Sequence, residues 1–138
     1  MDKTANDMTI NWCVLKLNPK HIYDSGTLFS VTNAASSAAK NQYGISGDIE
    51  KFKMLFKEKL TFSAFNGTRN IVRGDILKKY PTDIQAEVLV KESIPSSSII
   101  SICFKTNHDL AEAKAAMSEF DTSNFTVDNE IFSPSRRT

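Results

Sequence analysis

The segment Tyr80-Pro-Thr-Asp-Ile-Gln-Ala-Glu-Val-Leu-Val90 constrains this chain more than any other stretch. Val88, Leu89 and Val90 form an apolar run, bounded upstream by Pro81 and downstream by Ser93 and Pro95, which predicts a strand over Ile84–Val90. Strand side chains alternate, so Gln85 and Glu87 are expected on one face and Ala86, Val88 and Val90 on the other. A carboxylate in mid-strand beside an apolar face is costly unless something pairs with it. One pleat from a carboxamide, that carboxylate suits sugar chemistry. The glutamate can accept a hydrogen bond from a ribose hydroxyl and stabilise positive charge as a C–N glycosidic bond breaks, while the glutamine holds the incoming group.

Around this segment the pattern predicts an α+β fold of short mixed or antiparallel strands with two main helices. Trp12–Leu17 reads as a strand stopped by Asn18-Pro19, His21–Tyr23 as a turn, and Thr27–Val31 as a short extended piece. Asn33–Ala39 is rich in small residues, and is either a short helix or a tight surface segment that lets backbone approach a ligand. Ile49, Phe52, Leu55, Phe56 and Leu60 recur at helical spacing and predict a helix over Asp48–Leu60. From Thr61 to Thr82 periodicity lapses, Asn66-Gly67 and Gly74-Asp75 signal turns, and a long irregular connection is expected. Ile99–Phe104 reads as a strand. Asp109-Leu-Ala-Glu112 reads as a capping box opening a helix with Leu110, Ala113, Met117 and Phe120 on one face, and Phe125–Val127 reads as an edge strand. The 138 residues fit one domain, with a loose N-terminus at 1–11, a core over 12–130 and a flexible tail over 131–138.

Net charge is +1, so whole-chain electrostatics nominate no partner. The distribution is uneven: Lys51, Lys53, Lys57, Lys59, Arg69, Arg73, Lys78 and Lys79 crowd residues 51–79, whereas 109–130 is mainly acidic. The lysines of 51–59 fit a solvated helix face as well as a nucleic-acid contact. Phe62, Phe65 and Tyr80, interleaved with Arg69 and Arg73, suit either base stacking or core packing. Cys13 and Cys103 lack metal-ligand spacing and sit in apolar runs, so no metal is expected and both thiols are expected buried and reduced. No stretch has the length of a membrane span and residues 1–10 lack a signal-peptide core, so a cytoplasmic location is expected.

Leu15-Lys-Leu17, Phe29–Ser36, Pro81–Val90, Ile94-Pro95 and Ile99–Phe104 together resemble the DarT-type DNA ADP-ribosyltransferase toxins, in order and over residues 12–104. The Gln-Ala-Glu-Val-Leu-Val block is the most specific part. The resemblance implies an ADP-ribosyltransferase-like fold and an enzyme of the glycosyltransferase kind. Such an enzyme attaches ADP-ribose from NAD+ to a base in single-stranded DNA and is paired with a macrodomain antitoxin that reverses the mark. Residue by residue it implies Glu87 as the catalytic glutamate and Gln85 as a substrate-positioning residue. It also makes 61–86 the substrate-presenting loop, with Arg69 and Arg73 as contacts to DNA or NAD+ phosphates. Asn33 lies on a matching piece but takes no catalytic role.

The family's N-terminal half, with a His segment, an Asn and an Arg that hold NAD+, has no counterpart in the eleven residues before Trp12, and neither His21 nor His108 sits in its motif. The resemblance therefore covers the C-terminal two-thirds. The chain is then a partial fold, or is completed by an N-terminal segment from another chain, or has lost the transfer reaction. In the last case it is a non-catalytic module binding nucleic acid, a nucleotide or a protein partner, as an inhibitor or decoy.

Overall fold

The computed structural model of the chain describes residues 11–133. In chain order the strands are β1 (Cys13–Leu17), β2 (Leu28–Ser30), β3 (Lys59–Ala64), β4 (Gly67–Val72), β5 (Glu87–Leu89), β6 (Ile99–Phe104) and β7 (Phe125–Val127); the α-helices are α1 (Ile49–Met54) and α2 (Asn107–Ala116). This is the α+β class expected. The elements fall into two compact units, one comprising the chain up to Leu17 together with Ser97–Ser133, the other comprising Asn18–Ser96. Among the described residues no helix is long and apolar enough to cross a membrane.

In the first unit β6 is the middle strand of three, antiparallel to β1 and parallel to β7. A parallel pair needs a crossover, and α2 lies in it. Phe104 and Phe125 pack with ring centroids 5.3 Å apart beside the fully buried Cys103. Cys13 is exposed rather than buried, because β1 is an edge strand with most of its side chains in solvent. Lys16 Nζ lies 2.7 Å from Asp128 Oδ2, and that hydrogen bond holds the Asp128 carboxyl below its ordinary value. The cap of α2 sits one turn upstream of its expected place: Thr106 Oγ1 accepts from Asp109 N at 3.1 Å. The helix ends at Ala116, so Met117 and Phe120 fall beyond it and are exposed. A short 3-10 turn, Glu130–Phe132, carries ordered structure into the expected tail; residues 134–138 and 1–10 lie outside the described residues.

The second unit contains an antiparallel β2–β5 pair, a β3–β4 hairpin, α1 and a π-helical turn, Ala38–Tyr43. Its core is Phe29, Val31, Leu55, Leu60 and Phe62, with Phe52 and Tyr43 rings against it. Helix α1 is half its expected length. Its turn to strand is written in the residues that follow: Leu60 and Phe62 are buried while Lys59 and Ser63 are exposed, an alternation of two that only a strand satisfies. The supposed irregular connection is therefore largely a hairpin, turning at Phe65-Asn66 with Gly67 at φ 123°, a backbone geometry that side chains resist. Lys51 is buried, its ammonium donating to the Tyr43 carbonyl, so the lysines of α1 are not all solvated. Asp48 caps α1 by accepting from Lys51 N at 2.8 Å.

Leu60 has no exposed surface, so Leu60→Ala should destabilise the protein by about 2–5 kcal/mol in urea titration. The Ser46 hydroxyl and then the Lys51 backbone N–H lower the Asp48 carboxyl below 3.8. A depressed native value means the stabilisation is complete above the unfolded-state value and is lost as pH falls through the native one. Asp48→Asn should therefore flatten the acid limb of the stability–pH curve while leaving α1 capped, read by urea midpoints across that range.

Candidate active site

Glu87 opens β5 and pairs directly with Ser30 of β2, so their side chains share a face. Its carboxylate is half-buried, and Oε2 accepts the backbone N–H of Ala34 at 2.9 Å. Ala34 stands in a turn made by its own neighbours: Asn33 Oδ1 accepts from Ala35 N at 2.8 Å and Asn33 O from Ser36 N at 3.0 Å. The small-residue segment thus brings backbone to the Glu87 carboxylate. Ser30 is buried and donates to Thr32 O at 2.6 Å, which fixes the chain entering that turn. Among the described residues no donor is bonded to Glu87 Oε1. One oxygen is anchored on backbone and the other has no such anchor among the described residues.

Gln85 does not sit one pleat from Glu87. The strand begins at Glu87, and Gln85 lies exposed in the preceding turn, its N–H donating to Asp83 Oδ1 at 2.9 Å. A further backbone bond, Ala86 N to Asp83 O at 3.1 Å, closes the turn and ends the extended geometry that a strand from Ile84 would need. Gln85 shares Glu87's neighbourhood through this turn rather than through strand alternation.

The two arginines have different surroundings. Arg73 is buried: Nη1 donates to Tyr80 O at 2.9 Å and Thr82 Oγ1 at 3.3 Å, Nη2 to Leu77 O at 2.9 Å, and the guanidinium lies over the Phe56 ring. It ties down the loop that precedes Glu87. Thr82 continues the tie, its N–H donating to Leu55 O at 2.7 Å and its hydroxyl to Lys57 O at 2.6 Å. Arg69, on β4, is 57% exposed, lies over the Phe62 ring at 5.3 Å, and reaches Asp83 Oδ2 with Nη2 at 3.2 Å. Of the three aromatics, Phe62 is core, Tyr80 is half-buried, and Phe65 stands fully exposed at the hairpin tip.

Asp83 and the Ala34 amide are the participants that sequence reasoning passed over. An Asp two residues before a polar turn residue is the sequence mark of an Asx turn, and it was present. The backbone donor had no mark beyond its small neighbours. A cavity of about 490 Å³ opens between Ile22–Phe29, Gly47, Ile49 and Phe52, and none of Gln85, Glu87, Arg69 or Arg73 lines it. Among the described residues no group of three or more His, Cys, Asp or Glu side chains is placed to hold a metal ion.

Because Arg73 closes the loop from inside, Arg73→Ala should remove its donors from the part-buried carbonyls of Leu77 and Tyr80 and cost about 2–3 kcal/mol. Urea titration of the variant measures this; an unchanged midpoint would contradict the role.

No individual curated protein matches the chain significantly. The family model described as "ssDNA thymidine ADP-ribosyltransferase, DarT" matches residues 2–133, beyond the 12–104 on which the resemblance rested and including every residue of the site above. With that match covering nearly all of its length, the chain belongs to the DarT family of ADP-ribosyltransferases.

Proposed function

We propose that the chain transfers ADP-ribose from NAD+ to thymidine in single-stranded DNA, with Glu87 as the catalytic residue. The observation that carries this reading is the Glu87 carboxylate, held by one oxygen on the Ala34 amide with the other unclaimed, at a position the family match includes. Oε1 accepts a hydrogen bond from the 2′-hydroxyl of the nicotinamide ribose and stabilises positive charge growing at C1′. The C1′–N bond to nicotinamide breaks, and its electron pair leaves with neutral nicotinamide. N3 of thymine, the ring nitrogen that carries a proton, supplies the pair for the new C1′–N bond, and its proton passes through the Glu87 carboxylate to solvent. Gln85 lies two residues before Glu87 and, in this reading, positions the base.

Thymine N3 is paired in a duplex, so the base must be unstacked and single-stranded. Arg69 spends one of its five N–H donors on Asp83, and its exposed fork is suited to a phosphate oxygen. Arg73 contributes by shaping the loop, because its own donors are turned inward. A macrodomain antitoxin that removes the mark belongs to the same reading.

Incubation with labelled NAD+ and oligonucleotides that contain or lack thymidine tests the assignment. Label should enter thymidine-containing single strands only, and Glu87→Ala should abolish it with the urea midpoint nearly unchanged. Label that survives in Glu87→Ala would remove Glu87 from the chemistry. Oligonucleotide binding without labelling would transfer the chain to the non-catalytic reading. Arg69→Ala should weaken oligonucleotide binding and lower the log–log salt slope by about 0.7, the value of one phosphate contact on a single strand.

A further inference from the structure

Asp83 is a carboxylate with no exposed surface, and neither the transfer chemistry nor the family resemblance assigns it a role. Its atoms divide their partners. Oδ1 accepts from Gln85 N at 2.9 Å, its backbone carbonyl accepts from Ala86 N at 3.1 Å, and Oδ2 accepts from Arg69 Nη2 at 3.2 Å. The first two bonds form the turn that delivers Glu87 to the head of β5. The third reaches a different element, β4, and fixes its exposed guanidinium.

An Asx turn needs an acceptor and not a charge; asparagine serves it equally. Burying an ionised carboxylate is costly unless a cation and hydrogen bonds compensate. The second carboxylate oxygen is therefore surplus to the turn, and it is directed at Arg69. We propose that Asp83 is a positioning residue that sets the Glu87 carboxylate and the Arg69 guanidinium relative to one another, one oxygen holding the turn that leads into Glu87 and the other holding Arg69. This rests on the reading that Glu87 and Arg69 serve transfer to single-stranded DNA. The simpler alternative makes Asp83 only a counter-charge for Arg69. The two differ in sign: deleting a mere counter-charge frees a cation and improves DNA binding and transfer together, whereas deleting a positioning group lowers transfer per bound oligonucleotide.

The experiment compares wild type with Asp83→Asn, Asp83→Ala and Arg69→Ala by three readouts. These are the NMR signal of the Arg69 guanidinium, amide exchange at Ala34, Gln85 and the β3–β4 hairpin, and labelling of a thymidine oligonucleotide at saturating oligonucleotide. Asp83→Asn retains a turn acceptor, so Ala34 and Gln85 exchange should stay within threefold of wild type. The Arg69 signal should collapse to that of a freely rotating side chain, and transfer per bound oligonucleotide should fall at least fivefold. Asp83→Ala should in addition raise Ala34 and Gln85 exchange at least tenfold with the hairpin amides unmoved, which a general loss of fold would not do. Should Asp83→Ala fail to fold, the Asp83→Asn signals decide alone. Wild-type transfer in Asp83→Asn, or Ala34 protection retained in folded Asp83→Ala, would overturn the proposal. Arg69→Ala that binds and labels like wild type would instead overturn the DNA role of Arg69, while the exchange data still decide whether Asp83 sets Glu87.

Discussion

The hydrogen bonds that Arg73 donates to the carbonyls of Leu77 and Tyr80 and to the Thr82 hydroxyl decide where the chain after them can go. Residues 73–82 contain no strand or α-helix, and a segment of that kind has few ways to satisfy its own carbonyls away from water. A guanidinium supplies several donors in one rigid plane, so a single side chain closes the loop that would otherwise need a ladder. Thr82 then lands on the end of α1, Asp83 turns the chain, and Glu87 enters β5 already aligned. The apolar core beneath, from Phe29 to Phe62, gives this arrangement its floor.

The candidate site is built from backbone donors more than from side chains. Ala34 offers an N–H to Glu87 because its turn is pinned by Asn33 and because an alanine side chain does not crowd the approach. A backbone donor in a pinned turn holds the carboxylate in one orientation without spending a flexible side chain. Arg69 is the counterexample: long and mostly exposed, it owes its direction to an aromatic ring below and a buried carboxylate beside it.

The fold class and most strands were legible because short apolar runs between Pro, Gly and Asn punctuation are an unambiguous local signal. Leu60 was misread for a physical reason. Four residues after Phe56, it continues a helical stripe, and only the burial of Phe62 two places on reveals the other period. Asn66-Gly67 was recognised as a turn without its hairpin, since Gly67 supports pairing only if both flanks alternate. Cys13 read as buried because an apolar run does not say which strand of a sheet is the edge. A strand at Glu87–Leu89 was legible from the apolar run, but its start at Glu87 and the exposure of Val88 were not, because the run does not say which face its partner strand covers. The contrast between Arg69 and Arg73 was not legible either, because nothing within a few residues of either says that one points outward and the other under Phe56.

The pairing of Leu17 with Ile99 joins the last residue of β1 to the first of β6. Everything between them, and with it the whole candidate site, is one uninterrupted excursion that departs from and returns to neighbouring positions of a single sheet. Closing so long an excursion costs little more than closing a short one, since each doubling of length adds only about 0.6 kcal/mol. The search for that closure is nevertheless slow, because it unites distant parts of the chain. Contacts within the excursion are closer in sequence than the β1–β6 pairing that frames it.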